Sequence, residues 1–395
     1  MKIVHVYGAV ARMHGATKWL LAFASELRNL GEDSRILCTE FGIDRPYWLS
    51  APIETLATRG GTHPQRRSIT RLVGNYARVI ALAGRLPADA DAVVLHSESS
   101  LWVAPLVRRR CPRAQLVYYC YQPPRELYDL WDVAKADLPP ATRAAVTLGR
   151  PAYQALDRWL VRRADAVLVW SDEYERYARA IYGELRYHHV PAGVDFGMFE
   201  RADLAQRAGR IRAGRARVLL MNATLTRKKN VDQFVQVLAE LRARGCPAHG
   251  VVIGEGPLEA ELRERARELG VADLLDLAGY VSQEDLPAYY LAADALLYLE
   301  LAGAWSMSII EAGAAGIPVV VAPGGSMPTL VRDRETGFVL PQPPTTADVA
   351  DRVAQLLADD ALRRRMGAAN RAHCVQFSLA QSARRFVDIL RSGAA

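Results

Sequence analysis

A chain of 395 residues is longer than one ordinary hydrophobic core and suits two α/β domains. With 50% hydrophobic residues, 24% charged and a formal net charge of +7, it is neither a disordered nor a fibrous chain. No stretch reaches the roughly 18 to 20 apolar residues of a membrane span, and the opening MKIVHVYG reads as a first buried strand rather than a signal-peptide core.

Short apolar runs alternate with long amphipathic stretches. KIVHVYG is followed by a loop carrying His14 and Gly15, then by the helix-like TKWLLAFASELRNLG. SRILCTE, DAVVLHS, AQLVYYCYQ and ADAVLVWSD follow as buried strands with polar ends. A second series runs ARVLLMN, AHGVVIGEG, LLDLAGY, ADALLYLE and GIPVVVAP, with helical runs between its members. Such alternation predicts two parallel sheets, each covered by helices on both faces. The Gly-, Arg- and Ala-rich stretch from Gly193 to Arg217 marks the boundary. The expected domains are 1–192, 193–376 and a last helix, 377–395, packing back on the first domain.

Cys38, Cys111, Cys120, Cys246 and Cys374 are odd in number and widely spaced, which predicts buried free thiols in a reducing setting and a cytoplasmic protein. The basic charge is concentrated at Arg59, Arg66, Arg67, Arg71, Arg78 and Arg85, with no acid among them. Interleaved Leu72, Val73, Val79, Ile80 and Leu82 predict a basic amphipathic helix from about Ser68. Segment 59–85 can therefore meet an anionic membrane or an acidic acceptor, or simply present a solvated face. No zinc-finger spacing or aromatic-basic signature accompanies it, so nucleic acid is not an expected partner.

In doubly wound sheets, ligands bind beyond the C-terminal ends of the strands. After ARVLLMN, the residues Arg227, Lys228 and Lys229 stand just ahead of a predicted helix. A helix N-terminus with lysine beside it is a seat for phosphate. Farther on, Ser306, Met307 and Ser308 open a second helix, with Ser306 or Ser308 as its cap. Glu311 inside that helix is surrounded by small apolar residues and needs a partner, either ribose hydroxyls or a structural one. Gly254 and Gly256 close a strand where backbone can approach a ligand, and YVSQEDLPAYY, with Val281 and Ser282, is placed to line a base pocket.

With these elements in order, the chain resembles glycosyltransferase family 4, retaining enzymes of the GT-B fold. The resemblance is carried by HGATKWLLAFASELRNLG, VPAGVDFGMF, ATLTRKKNVDQF, VVIGEGP, YVSQEDLPAYYLAADALLYLE and IIEAGAAGIPVVVAPGGS. It implies two Rossmann-like domains facing each other across a cleft, with a nucleoside-diphosphate sugar as donor and a glycan or lipid-linked acceptor. Gly15, Thr224, Arg227, Lys229, Gly254, Val281, Ser306, Met307, Ser308 and Glu311 would bind the donor, Lys229 on the diphosphate and Glu311 on the ribose. YYCYQPPRELYD resembles a segment of mannosyl- and rhamnosyl-transferring members, which places Tyr121 in the catalytic set with Lys229 and Glu311. No cofactor and no metal are expected.

Three positions depart from the family pattern. Its histidine matches Tyr121, its phosphate-binding arginine matches Thr224, and the first of its two glutamates matches Gly303. Arg227 and Glu300 are the residues available as substitutes. The departures leave two other readings open: a catalytically silent GT-B relative acting as a binding or scaffold subunit, and a sugar phosphorylase on the same fold.

Overall fold

The computed structural model describes all residues except 12, 14, 47, 58–75, 301–304 and 394–395. The chain divides into two compact units, Met1–Ala192 with Leu379–Ala395, and Gly193–Ser378.

In the N-terminal unit the first apolar run, Lys2–Val10 (β1), lies in the middle of a sheet. Around it are Asp33–Phe41 (β2), Ile53–Ala57 (β3), Ala92–His96 (β4), Gln115–Tyr119 (β5), Ala166–Val169 (β6) and Tyr187–His189 (β7). Among the described residues the strand order is β3-β2-β1-β4-β5-β6-β7, all pairs parallel. Central strands are covered on both faces, which is why Ile3, Val4, Val6 and Val93 to Leu95 are wholly buried. The helix Gly15–Asn29 places Trp19, Phe23 and Leu27 against this sheet. The last helix, Leu379–Arg391, adds Phe386 at 5.3 Å from the ring of Phe23, and Ser382 donates to the Pro191 carbonyl at 2.7 Å. Phe377 stays with the other unit: its ring meets Trp305 edge-on and its carbonyl accepts from Val194.

The C-terminal unit repeats the scheme with Val218–Asn222 (β8), His249–Ile253 (β9), Leu275–Gly279 (β10), Ala295–Tyr298 (β11), Val319–Val321 (β12) and Gly337–Val339 (β13). The order among the described residues is β10-β9-β8-β11-β12-β13, again parallel. Phe234, Val237, Leu238 and Leu241 of the helix Val231–Ala243 join Leu219, Met221 and Val252 in one buried cluster, each contributing about 1.5–3 kcal/mol through burial. Asp294, buried just before β11, accepts from the Val218 amide at 2.8 Å and pairs with Arg212 and Arg363. A buried carboxylate requires such partners, and here they fix β11 beside β8.

The expected α/β class with two Rossmann-like sheets is what the chain forms. Three strands that the apolar runs did not reveal, β3, β7 and β13, all lie at sheet edges. The predicted basic helix falls largely on residues 58–75, outside the described residues. Residues 76–81 are helical, with Val79 buried and Arg78, Ile80 and Arg85 exposed. The five cysteines are free; Cys246 is half-buried and the other four are buried. Among the described residues no helix is long and apolar enough to cross a membrane.

Candidate functional site

In the C-terminal unit β9 lies on one side of β8 and β11 on the other. The connections therefore leave β8 and β11 in opposite directions, and in sheets of this kind the ligand crevice lies beyond the C-terminal ends of such a strand pair. Asn222 ends β8, Ala223 to Lys229 follow it, and Leu299 and Glu300 follow β11.

Arg227, Lys228 and Lys229 form a single 3-10 turn, and Asn230 then takes φ +54° before the helix Val231–Ala243 begins. Asparagine is one of the few side chains that tolerate this left-handed backbone, and it sets the direction of the lysines. Lys229 reaches Glu300, its Nζ 2.5 Å from Oε2. Lys228 stands 3.4 Å from Oε1 of the same carboxylate, and the Tyr298 hydroxyl donates to Oε2 at 2.6 Å. Glu300 is only 3% exposed. Its charge is thus held inside the protein by two cations and a phenol. Arg227 turns the other way: its side chain is 79% exposed and pairs with Glu261 at 3.2 Å. Thr224 is exposed.

The second element is the helix Met307–Ala315. Ser306 is its cap and accepts from the Ile309 amide; Ser308 instead donates to the Asn222 carbonyl at 3.2 Å. That bond ties the helix start to the end of β8. Glu311 is buried, and its Oε2 accepts from the Tyr290 hydroxyl at 2.7 Å and from Asn222 at 3.3 Å. Burial, and then the Glu311 charge, push the Tyr290 phenol far above its usual range, so it stays a donor. Glu311 therefore has protein partners of its own. Tyr290 and Asn222 were not legible as its partners, because each becomes a neighbour only through the sheet order.

Gly254 and Gly256 have a packing role that the sequence does not reveal. A Cβ on Gly254, where φ is +126°, would fall 2.1 Å from the Ala223 carbonyl oxygen; one on Gly256 would fall 2.4 Å from that of Leu225. These glycines admit the backbone of the neighbouring loop. Leu225 donates to Glu255 and Ala223 to Ile253, so the two loops form one rigid base. Val281 is buried. Ser282 accepts from the Asp285 amide and donates to its carboxylate, stabilising the turn before the helix Leu286–Ala292. Gly303 lies outside the described residues.

In the N-terminal unit Gly15 begins its helix with nothing among the described residues within 4 Å of where a Cβ would stand. Tyr121 follows β5, stacks on Trp170 with ring centroids 5.2 Å apart, and is buried. Its hydroxyl meets Nδ1 of His96 at 2.7 Å, and His96 Nε2 meets Nδ1 of His5 at 2.8 Å. Burial lowers the His5 imidazole to about 3 and holds His96 well below its ordinary range. Both rings are neutral. Tyr121 stands out in the sequence, whereas this pair of strand histidines reads there only as polar residues in buried runs.

Comparison with known proteins agrees with the order of these elements. Residues 13–197 match the model described as Glycosyltransferase Family 4, and residues 205–373 the model described as Glycosyl transferases group 1. A GDP-mannose-dependent alpha-(1-6)-phosphatidylinositol monomannoside mannosyltransferase of Mycobacterium tuberculosis is 33% identical over 207 residues, 50% of this chain and 53% of that protein. The match thus spans about half the length of that relative. A 2-deoxystreptamine glucosyltransferase of Streptomyces kanamyceticus is 26% identical over 87% of this chain and 89% of its own. The fold is shared with Anabaena HepE, solved in complex with UDP: the TM-score is 0.74 at 18% identity, over 99% of this chain and 100% of the other. On its two family matches and its fold, the chain belongs to glycosyltransferase family 4 of the GT-B type.

Proposed function

We propose that the chain is a retaining glycosyltransferase. It moves a hexosyl or deoxyhexosyl group from a nucleoside-diphosphate sugar to a hydroxyl of a glycan, glycolipid or small-molecule acceptor. The observation that carries this reading is the pair Lys228 and Lys229, placed at the crevice between β8 and β11 by the turn ending at Asn230. A leaving diphosphate develops negative charge as the glycosidic bond breaks, and a preorganised cation there stabilises the transition state more than the ground state. Glu311, oriented by Tyr290 and Asn222, suits the ribose hydroxyls, since a carboxylate offers about four acceptor sites.

Departure of the diphosphate and entry of the acceptor on the same face retain the anomeric configuration. The leaving phosphate itself takes the acceptor proton, so no side-chain nucleophile is required. Charge compensation by lysine makes the proposed transfer metal-independent, and full activity in excess chelator is the expected result. Open space at Gly15 supports close approach of a ligand to that helix N-terminus in the N-terminal unit. Contact of segment 59–85 with anionic membrane belongs to the same proposal. Reduced liposome sedimentation on changing Arg66, Arg67 and Arg71 to Ser is its test.

The M. tuberculosis relative is named for GDP-mannose and HepE was solved with UDP, so both nucleotides lead the test. Thermal unfolding is followed with UDP, GDP, ADP and dTDP. One of them should stand out, since a ligand at 100 times its dissociation constant stabilises by about 2.7 kcal/mol. No shift with any of the four would sink the proposal. A silent binding subunit is the second reading, favoured by the inward-turned hydroxyl of Tyr121. Nucleotide binding without donor turnover across an acceptor panel would select it.

A further inference from the structure

We infer that Glu300 is an internal rival of the diphosphate for Lys229, and that it keeps the anion seat weak enough for nucleotide to leave. The inference rests on the nucleotide-binding reading above. Glu300 stands two residues beyond β11, and Lys229 lies in the turn that follows the adjacent β8, so the carboxylate lies on the very cation that would meet phosphate. Its geometry resembles that of a bound anion: Lys229 at 2.5 Å, Lys228 at 3.4 Å and the Tyr298 hydroxyl at 2.6 Å all converge on its two oxygens.

Two consequences follow for a ligand. The three charged side chains sum to a single positive charge rather than two, which lowers the attraction for any phosphate in the crevice. An ammonium also has three donors in all, and one of those on Lys229 already faces Glu300. An arriving diphosphate must share the ammonium with a carboxylate or displace it. Glu300 is buried, so displacing it from Lys229 leaves a carboxylate inside the protein without its cation, which is costly. Tight product binding is thereby opposed by the protein itself.

A purely structural staple, fixing the lysine turn to the end of β11, would have the same contacts. The two roles separate on charge. Glu300→Gln keeps an acceptor for Lys229 and Tyr298 while removing the negative charge; Glu300→Ala removes both; Glu300→Asp keeps the charge. Isothermal titration of the full chain with UDP, GDP and inorganic pyrophosphate, at two salt concentrations, reads the difference. Glu300→Gln and Glu300→Ala should each tighten anion binding by about tenfold, with steeper salt dependence, and Glu300→Asp should stay within about twofold of wild type. Unchanged or weaker binding in whichever neutral variant melts as a folded protein overturns the inference. So does equal tightening by the aspartate. Tightening of pyrophosphate without binding of any nucleotide leaves the inference standing and removes the nucleotide reading. Nucleotide binding that is indifferent to position 300 does the reverse.

Discussion

Tyr121 turns its hydroxyl into the protein, onto Nδ1 of His96 at 2.7 Å. The phenol is thus engaged by a buried histidine behind it. Tyr121→Phe leaves that nitrogen unpaired, which costs about 1–3 kcal/mol for a buried polar atom. The expected outcome is a lower denaturant midpoint with a transfer rate within a few-fold of wild type. A loss of turnover beyond about a hundredfold with unchanged stability would instead place the hydroxyl on substrate.

The His5 and His96 pair sets an acid limit. In the folded chain the His5 imidazole takes a proton only near pH 3, whereas in the unfolded chain it does so near its ordinary 6.5. Between those values the unfolded state binds more protons, so stability is complete above about pH 6.5 and falls as pH drops toward 3. For His5 alone the loss at the bottom of the window is on the order of 5 kcal/mol. Urea unfolding at pH 7.5, 6 and 5 should show a slope that His5→Gln flattens. An unchanged slope would mean that the pair does not set this dependence.

Gly254 and Gly15 should respond oppositely to the same substitution. Gly254→Ala drives a methyl to within 2.1 Å of the Ala223 oxygen at a backbone angle that alanine avoids. A stability loss of about 2–4 kcal/mol is expected. Gly15→Ala meets nothing among the described residues, so the melting temperature should hold or rise slightly while donor turnover falls. Equal turnover in Gly15→Ala and wild type would remove Gly15 from the ligand's path.

Lys229 and Lys228 differ in reach although they are neighbours. Lys229 is the less exposed of the two and makes the shorter contact with Glu300. Losing a charge-assisted bond costs about 1.5–3 kcal/mol, so Lys229→Ala should weaken nucleotide binding by about 10- to 100-fold. Lys228→Ala should cost less than about fivefold. Equal effects by calorimetry would show that the two share the load.

The central strands were legible because burial on both faces demands unbroken apolar runs such as Val93 to Leu95. IETLA, YHH and GFV were not, because an edge strand needs no such run. Lys229 and Glu311 could be singled out by what surrounds them in the chain. That Lys229 answers to Glu300 could not, since 71 residues separate them and only the pairing of β8 with β11 brings them together. The same holds for His5 and His96, which are 91 residues apart on β1 and β4. Asn230 shows a subtler loss: its left-handed backbone follows from the turn, and its sequence context alone does not single it out.

The last helix has a consequence for how the protein is made. A ribosome that has delivered residues as far as Ser378 has supplied every residue of the C-terminal unit, which is one unbroken stretch. The N-terminal unit, although synthesised first, still lacks Leu379–Arg391, and Phe23 has yet to meet Phe386. The unit whose strands are made earlier is therefore the later of the two to close its core, and its exposed apolar side is the one a chaperone would have to shield.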